Sequence, residues 1–265
     1  MRSSRERTRV MAAAGAAALS LVLAGCGLGS DSGDGAAATE QPSAPAVSDS
    51  PAAVATTVAT TAAAAPLRAA DFTLTNGSGF TGFAPANGAT GADAGAAPFA
   101  ALASCLGISA ADAADRSTDR AESAHLTNSG TGITLWSDAQ IAPAGQLDRD
   151  AGLLRHPRFA DCVTAQTKKD AGAALAAKYG ADGVFDTEAV TRDDVPLPAG
   201  ALARTSVVVL AGTANGGQAQ LFYDTIYLGS GQVEAQLHLV GSIDPPSEDL
   251  VSVAAAQLAA KLGPR

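Results

Sequence analysis

The placement of aromatic residues constrains this chain more than any other feature. Residues 27–70 hold none, whereas Phe72, Phe80, Phe83, Phe99, Trp136, Phe159, Phe185 and Phe222 are spread along the remainder. Ordering a backbone costs conformational entropy that only buried apolar surface can offset. The Gly, Ser, Asp, Ala, Thr and Pro of Gly27–Gly35 and Gln41–Pro45 do not supply that surface, and they predict a disordered tether. As a flexible coil of about 44 residues it has an r.m.s. span of about 35–40 Å. Thr56, Thr57, Thr60 and Thr61, near Pro51 and Pro66, are candidate O-mannose acceptors. From Asp71 onward about 195 residues remain, enough for one domain with its own core. The expected organisation is a leader over 1–25, a tether over 26–70 and a single domain over 71–265.

Composition excludes several classes. Acidic residues number 26 against 17 basic ones, for a formal net charge of -9, and no basic stripe suits the chain to nucleic acid. Hydrophobic residues make up 47% of the chain, but many are alanines that add little core area. The single apolar stretch that approaches spanning length is N-terminal.

That N-terminus carries Arg2, Arg5, Arg7 and Arg9, followed by an uncharged run from Val10 to Leu23. A basic segment before a short apolar one is the layout of an export signal. Roughly 14 apolar residues are too few to cross a ~30 Å hydrocarbon core comfortably. The run ends in Leu23-Ala24-Gly25-Cys26, which resembles the lipobox of bacterial lipoproteins. The resemblance implies diacylglycerol on the Cys26 thiol and cleavage before it. Two acyl chains anchor firmly where one does not, at about 0.8 kcal/mol per buried CH₂. The expected address is the extracytoplasmic face of the cell membrane, with the domain tethered to it.

With Cys26 lipidated, Cys105 and Cys162 remain. Outside the membrane such a pair reads as a disulfide, with two buried free thiols as the alternative. Closing a loop of nearly 60 residues stabilises by about 4 kcal/mol in the chain-entropy model. No C-x-x-C spacing suggests a redox pair.

Within 71–265 the pattern predicts an α+β domain, an antiparallel sheet packed with helices. Pro98 to Leu106, Leu147 to Leu154 and Phe159 to Tyr179 read as helices, the last ended by Gly180. Ile133 to Trp136 reads as a strand. Thr205 to Leu210, Ala219 to Leu228 and Gln232 to Val240 form a three-strand meander turned at Asn215-Gly216-Gly217 and Gly229-Ser230-Gly231. A helix after Pro245-Pro246-Ser247 presents Leu250, Ala254, Leu258 and Leu262 on one stripe. A turn centred on Ser230-Gly231 pairs Leu228 with Val233, Ile226 with Ala235, Asp224 with Leu237 and Phe222 with Leu239. The other face then pairs Tyr227 with Glu234, Thr225 with Gln236 and Tyr223 with His238.

Motifs for chemistry are sparse. Gly77-Ser78-Gly79-Phe80-Thr81-Gly82 fits G-x-G-x-x-G, but Phe83 to Gly88 reads as loop where a dinucleotide site needs a helix. His125, His156 and His238 show no metal-ligand spacing, and no G-x-S-x-G elbow occurs. Asp193-Asp194 reads as a solvated loop. No cofactor, metal ion or catalytic group is assigned. Asp224 stands out on an otherwise apolar face and calls for a structural partner, for instance Arg204 or a backbone turn, or else faces a ligand. Tyr223 and His238 are the other candidate ligand-facing residues.

The order of Leu102-Ala103-Ser104-Cys105-Leu106-Gly107, the Trp136 strand, Pro157-Arg158-Phe159-Ala160-Asp161-Cys162, Tyr223-Asp224-Thr225-Ile226-Tyr227-Leu228 with Gly231, and a final helix resembles exported lipoproteins and kinase-linked sensor domains of actinobacteria. Their cores are similar to the PsbP fold, and the resemblance implies a compact sandwich used for binding or sensing. The kinase-sensor members usually hold two disulfides, and this chain has cysteines for one. The expectation is a non-catalytic envelope module for a small ligand, glycan or protein. A carrier of a lipid or other apolar molecule in an internal cavity and an envelope hydrolase are the alternatives.

Overall fold

A computed structural model of the chain describes residues 66–77, 79–86, 99–114, 116–180, 183–214 and 216–263. The leader, Cys26, the tether through residue 65 with its threonines, and Pro98 lie outside the described residues. One unit runs Leu67–Arg265. It begins slightly before the boundary read at Asp71, because Ala69 and Phe72 of a short 3-10 turn, Ala69–Phe72, are core residues.

The described chain is α+β. Its strands are β1 (Ala84–Pro85), β2 (Asp119–Glu122), β3 (Leu126–Asn128), β4 (Ile133–Ile141), β5 (Val184–Thr191), β6 (Ala201–Thr213), β7 (Gln218–Ser230) and β8 (Val233–Gly241). They form one antiparallel sheet in the order β1-β3-β4-β8-β7-β6-β5, with β2 also paired to β4. The helices are α1 (Ala103–Leu106), α2 (Gln146–Leu154), α3 (Phe159–Tyr179) and α4 (Glu248–Leu262).

Alternation along the strands sends successive side chains to opposite faces. On one face Leu135, Ile226, Leu237 and Leu239 meet Val251, Ala254 and Leu258 of α4, all fully buried. Burial of each Leu or Ile there stabilises by about 1.5–3 kcal/mol. The Ser247 hydroxyl caps α4 by accepting from the Leu250 amide, and Glu248 and Asp249 suit its first turn. The Ala69–Phe72 segment is tied to the same face. The Leu74 amide donates to Ser137 Oγ at 2.6 Å, and Lys261 Nζ donates to the Thr73 carbonyl.

The opposite face is covered by α1, α2 and α3. A disulfide joins Cys105 on α1 to Cys162 on α3, with the Cα atoms 5.7 Å apart. Around it Phe99, Leu102, Leu106 and Phe159 form a second apolar cluster that includes Tyr227.

Several elements depart from the pattern read in the sequence. The first helix is shorter than Pro98 to Leu106: Phe99 to Leu102 is a turn, and Gly107 at φ 72° closes α1. The Trp136 strand runs on to Ile141 because β2, β3 and β8 all pair with it. Strand β5 extends the three-strand meander at β6, and β2 and β3 pair with β4. In the last hairpin the turn is Gly231-Gln232, with Gly231 at φ 61°, and Ser230 opposes Val233. Every pairing therefore moves by two residues. Leu228 faces Ala235, Ile226 faces Leu237, Asp224 faces Leu239 and Phe222 faces Gly241. A shift of two leaves each side chain on its expected face.

Candidate functional site

The α3-side face of the sheet carries a groove of about 270 Å³, lined by Asp138, Gln140, Thr225, Glu234, Gln236 and His238 among others, with Gln166 and Thr167 of α3 above. Alternation places these strand residues here, because Asp138 and Gln140 flank the core-facing Ala139, and Glu234, Gln236 and His238 interleave with Val233, Ala235 and Leu237. Among the described residues no group of three or more His, Cys, Asp or Glu side chains can hold a metal ion, and no helix is long and apolar enough to cross a membrane.

Two of the three histidines converge at one end. Trp136 is opposite His238 across β4 and β8, and their rings stack at 5.0 Å. His125, in the link between β2 and β3, stacks on Trp136 at 4.5 Å. Each imidazole is held by a carboxylate: His125 Nε2 to Glu122 Oε1 at 2.8 Å, and His238 Nε2 to Asp138 Oδ2 at 2.9 Å. A carboxylate only accepts, so Nε2 bears the proton in both rings. His238 Nδ1 then faces the Thr225 hydroxyl at 3.4 Å, a long contact. His156 is elsewhere: it accepts the Arg158 amide in the turn between α2 and α3.

The other end is a carboxyl pair. Gln140 Nε2 donates to Glu234 Oε2 at 2.6 Å, whereas Glu234 Oε1 is buried with no hydrogen-bond partner. Burial first, and then the charge of Asp150 on α2, push the Glu234 carboxyl up to about 7. Asp150 is itself buried and accepts from Gln146 Nε2 at 3.2 Å and Arg149 Nε at 3.3 Å. Tyr227 lines the same region, and full burial raises its phenol to about 12.

Tyr223, Asp224 and His238 do not form a common patch. Asp224 lies under α4 and is 1% exposed. Arg204 Nη2 donates to Asp224 Oδ2 at 2.7 Å, and its Nη1 donates to Glu248 Oε2 at 2.6 Å. Burial alone lowers the Arg204 pKa, and the bonds and charges of Glu248 and Asp224 outweigh it. Asp224 thus joins β6, β7 and the first turn of α4, turned away from the groove. Tyr223 faces Val240, not His238, because of the two-residue shift. It packs beside Val207 and Val209 under α3, where burial and Asp170 raise its phenol. Of the three, His238 alone lines the groove.

The remaining motifs stay outside it. The glycine-rich stretch precedes β1, the described residues Phe83 to Ala86 after it are not helical, and its Phe80 is buried in the α4-side core. Asp194 is exposed beside Arg192 in the loop after β5. The His125–Trp136–His238 stack and the Glu234–Asp150 pair escaped the sequence reading. Each depends on a strand or helix register, and a single sequence has no local signal for side chains 100 positions apart. Comparison with protein-family models, curated proteins and solved structures returned no match.

Proposed function

We propose that the protein is a lipid-anchored envelope lipoprotein whose domain is a non-catalytic binding or sensing module, and that the groove over β4, β8 and β7 is its binding site. The anchor rests on the basic leader and Leu23-Ala24-Gly25-Cys26. The observation that carries the binding reading is the groove itself. Its volume of about 270 Å³ is close to the lower end of ligand sites, roughly 300 Å³, and suits a small molecule. Its walls set carboxylates, carboxamides and an imidazole among Leu102, Val163 and the Tyr227 ring, which favours a small ligand with hydrogen-bonding groups over a lipid. An apolar carrier calls for a larger cavity lined by aliphatic side chains. The order of elements that resembles the PsbP-like exported domains points to the same use.

Intact and non-reducing peptide mass spectrometry on protein from its native membrane tests the anchor. A diacylglyceryl mass on Cys26 is the expected result, and an unmodified N-terminus removes the lipoprotein reading.

One observation favours a second reading, an envelope hydrolase. Asp138, His238 and Thr225 stand in the order carboxylate, imidazole, hydroxyl. Acyl transfer also needs backbone N–H donors aimed at an oxyanion. Thr225 lies within a strand flanked by β6 and β8, where the ladders engage the backbone. Covalent labelling by a fluorophosphonate that is lost in Thr225→Val would favour the hydrolase over the binding module.

A further inference from the structure

Donor and acceptor counting at the Glu234–Asp150 pair leaves one place unfilled. Asp150 accepts from Gln146 and Arg149, and Glu234 Oε2 accepts from Gln140. Glu234 Oε1 has no partner and is out of reach of solvent, and Asp150 lines the same crevice as Glu234. Two ionised carboxylates have no donor between them. A single proton on Oε1 supplies that donor and removes the repulsion.

The pair adds a polar tie between α2 and β8 to the apolar packing of Leu147, Leu153 and Leu154. Helix α2 sits close on the β7–β8 hairpin, where Leu147 packs over Gly229 so tightly that a Cβ at Gly229 would collide with it. Beneath α2 is a crevice of about 20 Å³ lined by Leu147, Asp150, Ala151 and Leu154. Glu234, Tyr227, Ala235 and Gln236 line both this crevice and the groove. The partition between the two spaces therefore contains one of the residues that seat the helix.

We propose that α2 is a proton-held flap: a protonated Glu234 donates to Asp150 and seats the helix, and loss of that proton frees α2 and joins the crevice to the groove. No ligand is required, so the flap stands or falls apart from the binding reading. The groups that face Glu234 or line its surroundings are Asp150 and Arg149 from α2, Gln140, Asp138 and His238 along the groove, and Arg120 from β2, whose Nε donates to Ser117. Asp138 and His238 pair with each other, and Arg149 pairs with Asp150. The sign is fixed by burial: the seated state binds the proton more tightly than the lifted one, so rising pH favours lifting.

Hydrogen exchange on the full chain at pH 5.5 and 8.5, corrected for the intrinsic pH dependence of exchange, reads the flap directly. Protection of residues 146–154 should fall about 10- to 30-fold on going to pH 8.5, as one proton is lost through a value near 7. Protection across β7 and β8 should stay constant. In Glu234→Gln the carboxamide donates at every pH, and α2 should stay protected throughout. Asp150→Asn removes the opposing charge and should flatten the response in the same way, which keeps the test alive if one variant folds poorly. A change below about 2-fold in the wild-type chain, or the full pH response persisting in either variant, overturns the proposal.

Discussion

The same strands build two unlike faces. Toward α4, β4, β7 and β8 present Leu135, Ile226, Leu237 and Leu239 with no exposed surface. Toward α3 they present Trp136, Asp138, Thr225, Glu234 and His238. The helices match their faces. Helix α4 buries a stripe from Val251 to Leu262, while α3 buries only Phe159, Cys162, Ala171 and Leu175 and turns Gln166 and Thr167 to the groove. The difference teaches where dense packing and open polar surface are placed. The α4 side has the packing that holds a unique fold, and the α3 side has polar groups with room between them. Each side departs from type once. The α4 side contains the Arg204–Asp224–Glu248 network, and the α3 side contains the disulfide with its apolar cluster.

The comparison can be broken most severely at the charge on the dry side. Asp224→Ala leaves Arg204, 2% exposed, with the half-exposed Glu248 as its one carboxylate beside the Pro196 carbonyl, and should cost about 3–5 kcal/mol in urea denaturation. Leu237→Ala on the same face should cost about 2–5 kcal/mol, with the larger values if the site does not collapse. Removing the disulfide with Cys105→Ala/Cys162→Ala should cost up to about 4 kcal/mol by the chain-entropy model. Hydrogen exchange in that variant should rise in α1 and the start of α3 and leave α4 unchanged, which locates the staple on the wet side.

Acidity sharpens the contrast further. The Glu234 carboxyl is raised to about 7 in the folded state, so the folded chain binds more protons than the unfolded one between its unfolded value of about 4.5 and 7. Stability should therefore fall as pH rises through that window, by about 3 kcal/mol before solvent screening and less after it. Glu234→Gln should remove that slope, checked by thermal melts at pH 5 and pH 8. The smallest effect is expected at His238→Gln, below about 1 kcal/mol in stability, since the His238–Asp138 pair is partly exposed and the carboxamide can still donate to Asp138.

The dry side was the legible one. Strict alternation through Phe222 to Leu228 and Val233 to Leu239 identifies its face without any knowledge of register. Helix α3 appears at Phe159–Tyr179, the bounds that Pro157 and Gly180 suggest. Arg204 is the partner that a core-facing Asp224 calls for. Strand β5 escaped because a bulge between Phe185 and Glu188, with Asp186 at φ 52°, interrupts its alternation. Strand β2 escaped because Asp119-Arg120-Ala121-Glu122 is nearly all polar. The groove was illegible for a different reason. Its members come from β4, β7, β8 and α3, and polar residues carry no periodic signal of which partners they will meet. A two-residue error in one hairpin is enough to exchange Thr225 for Tyr223 beside His238.

Amide chemical shifts of the full chain, followed against a library of small polar fragments, test the central claim most directly. A binding site on the wet face predicts that hits cluster on β4, β8 and the first half of α3, around Asp138, Gln166, Glu234 and His238, and weaken in Asp138→Asn. Hits confined to other surfaces, or none across a chemically broad library, would contradict the groove as the binding site.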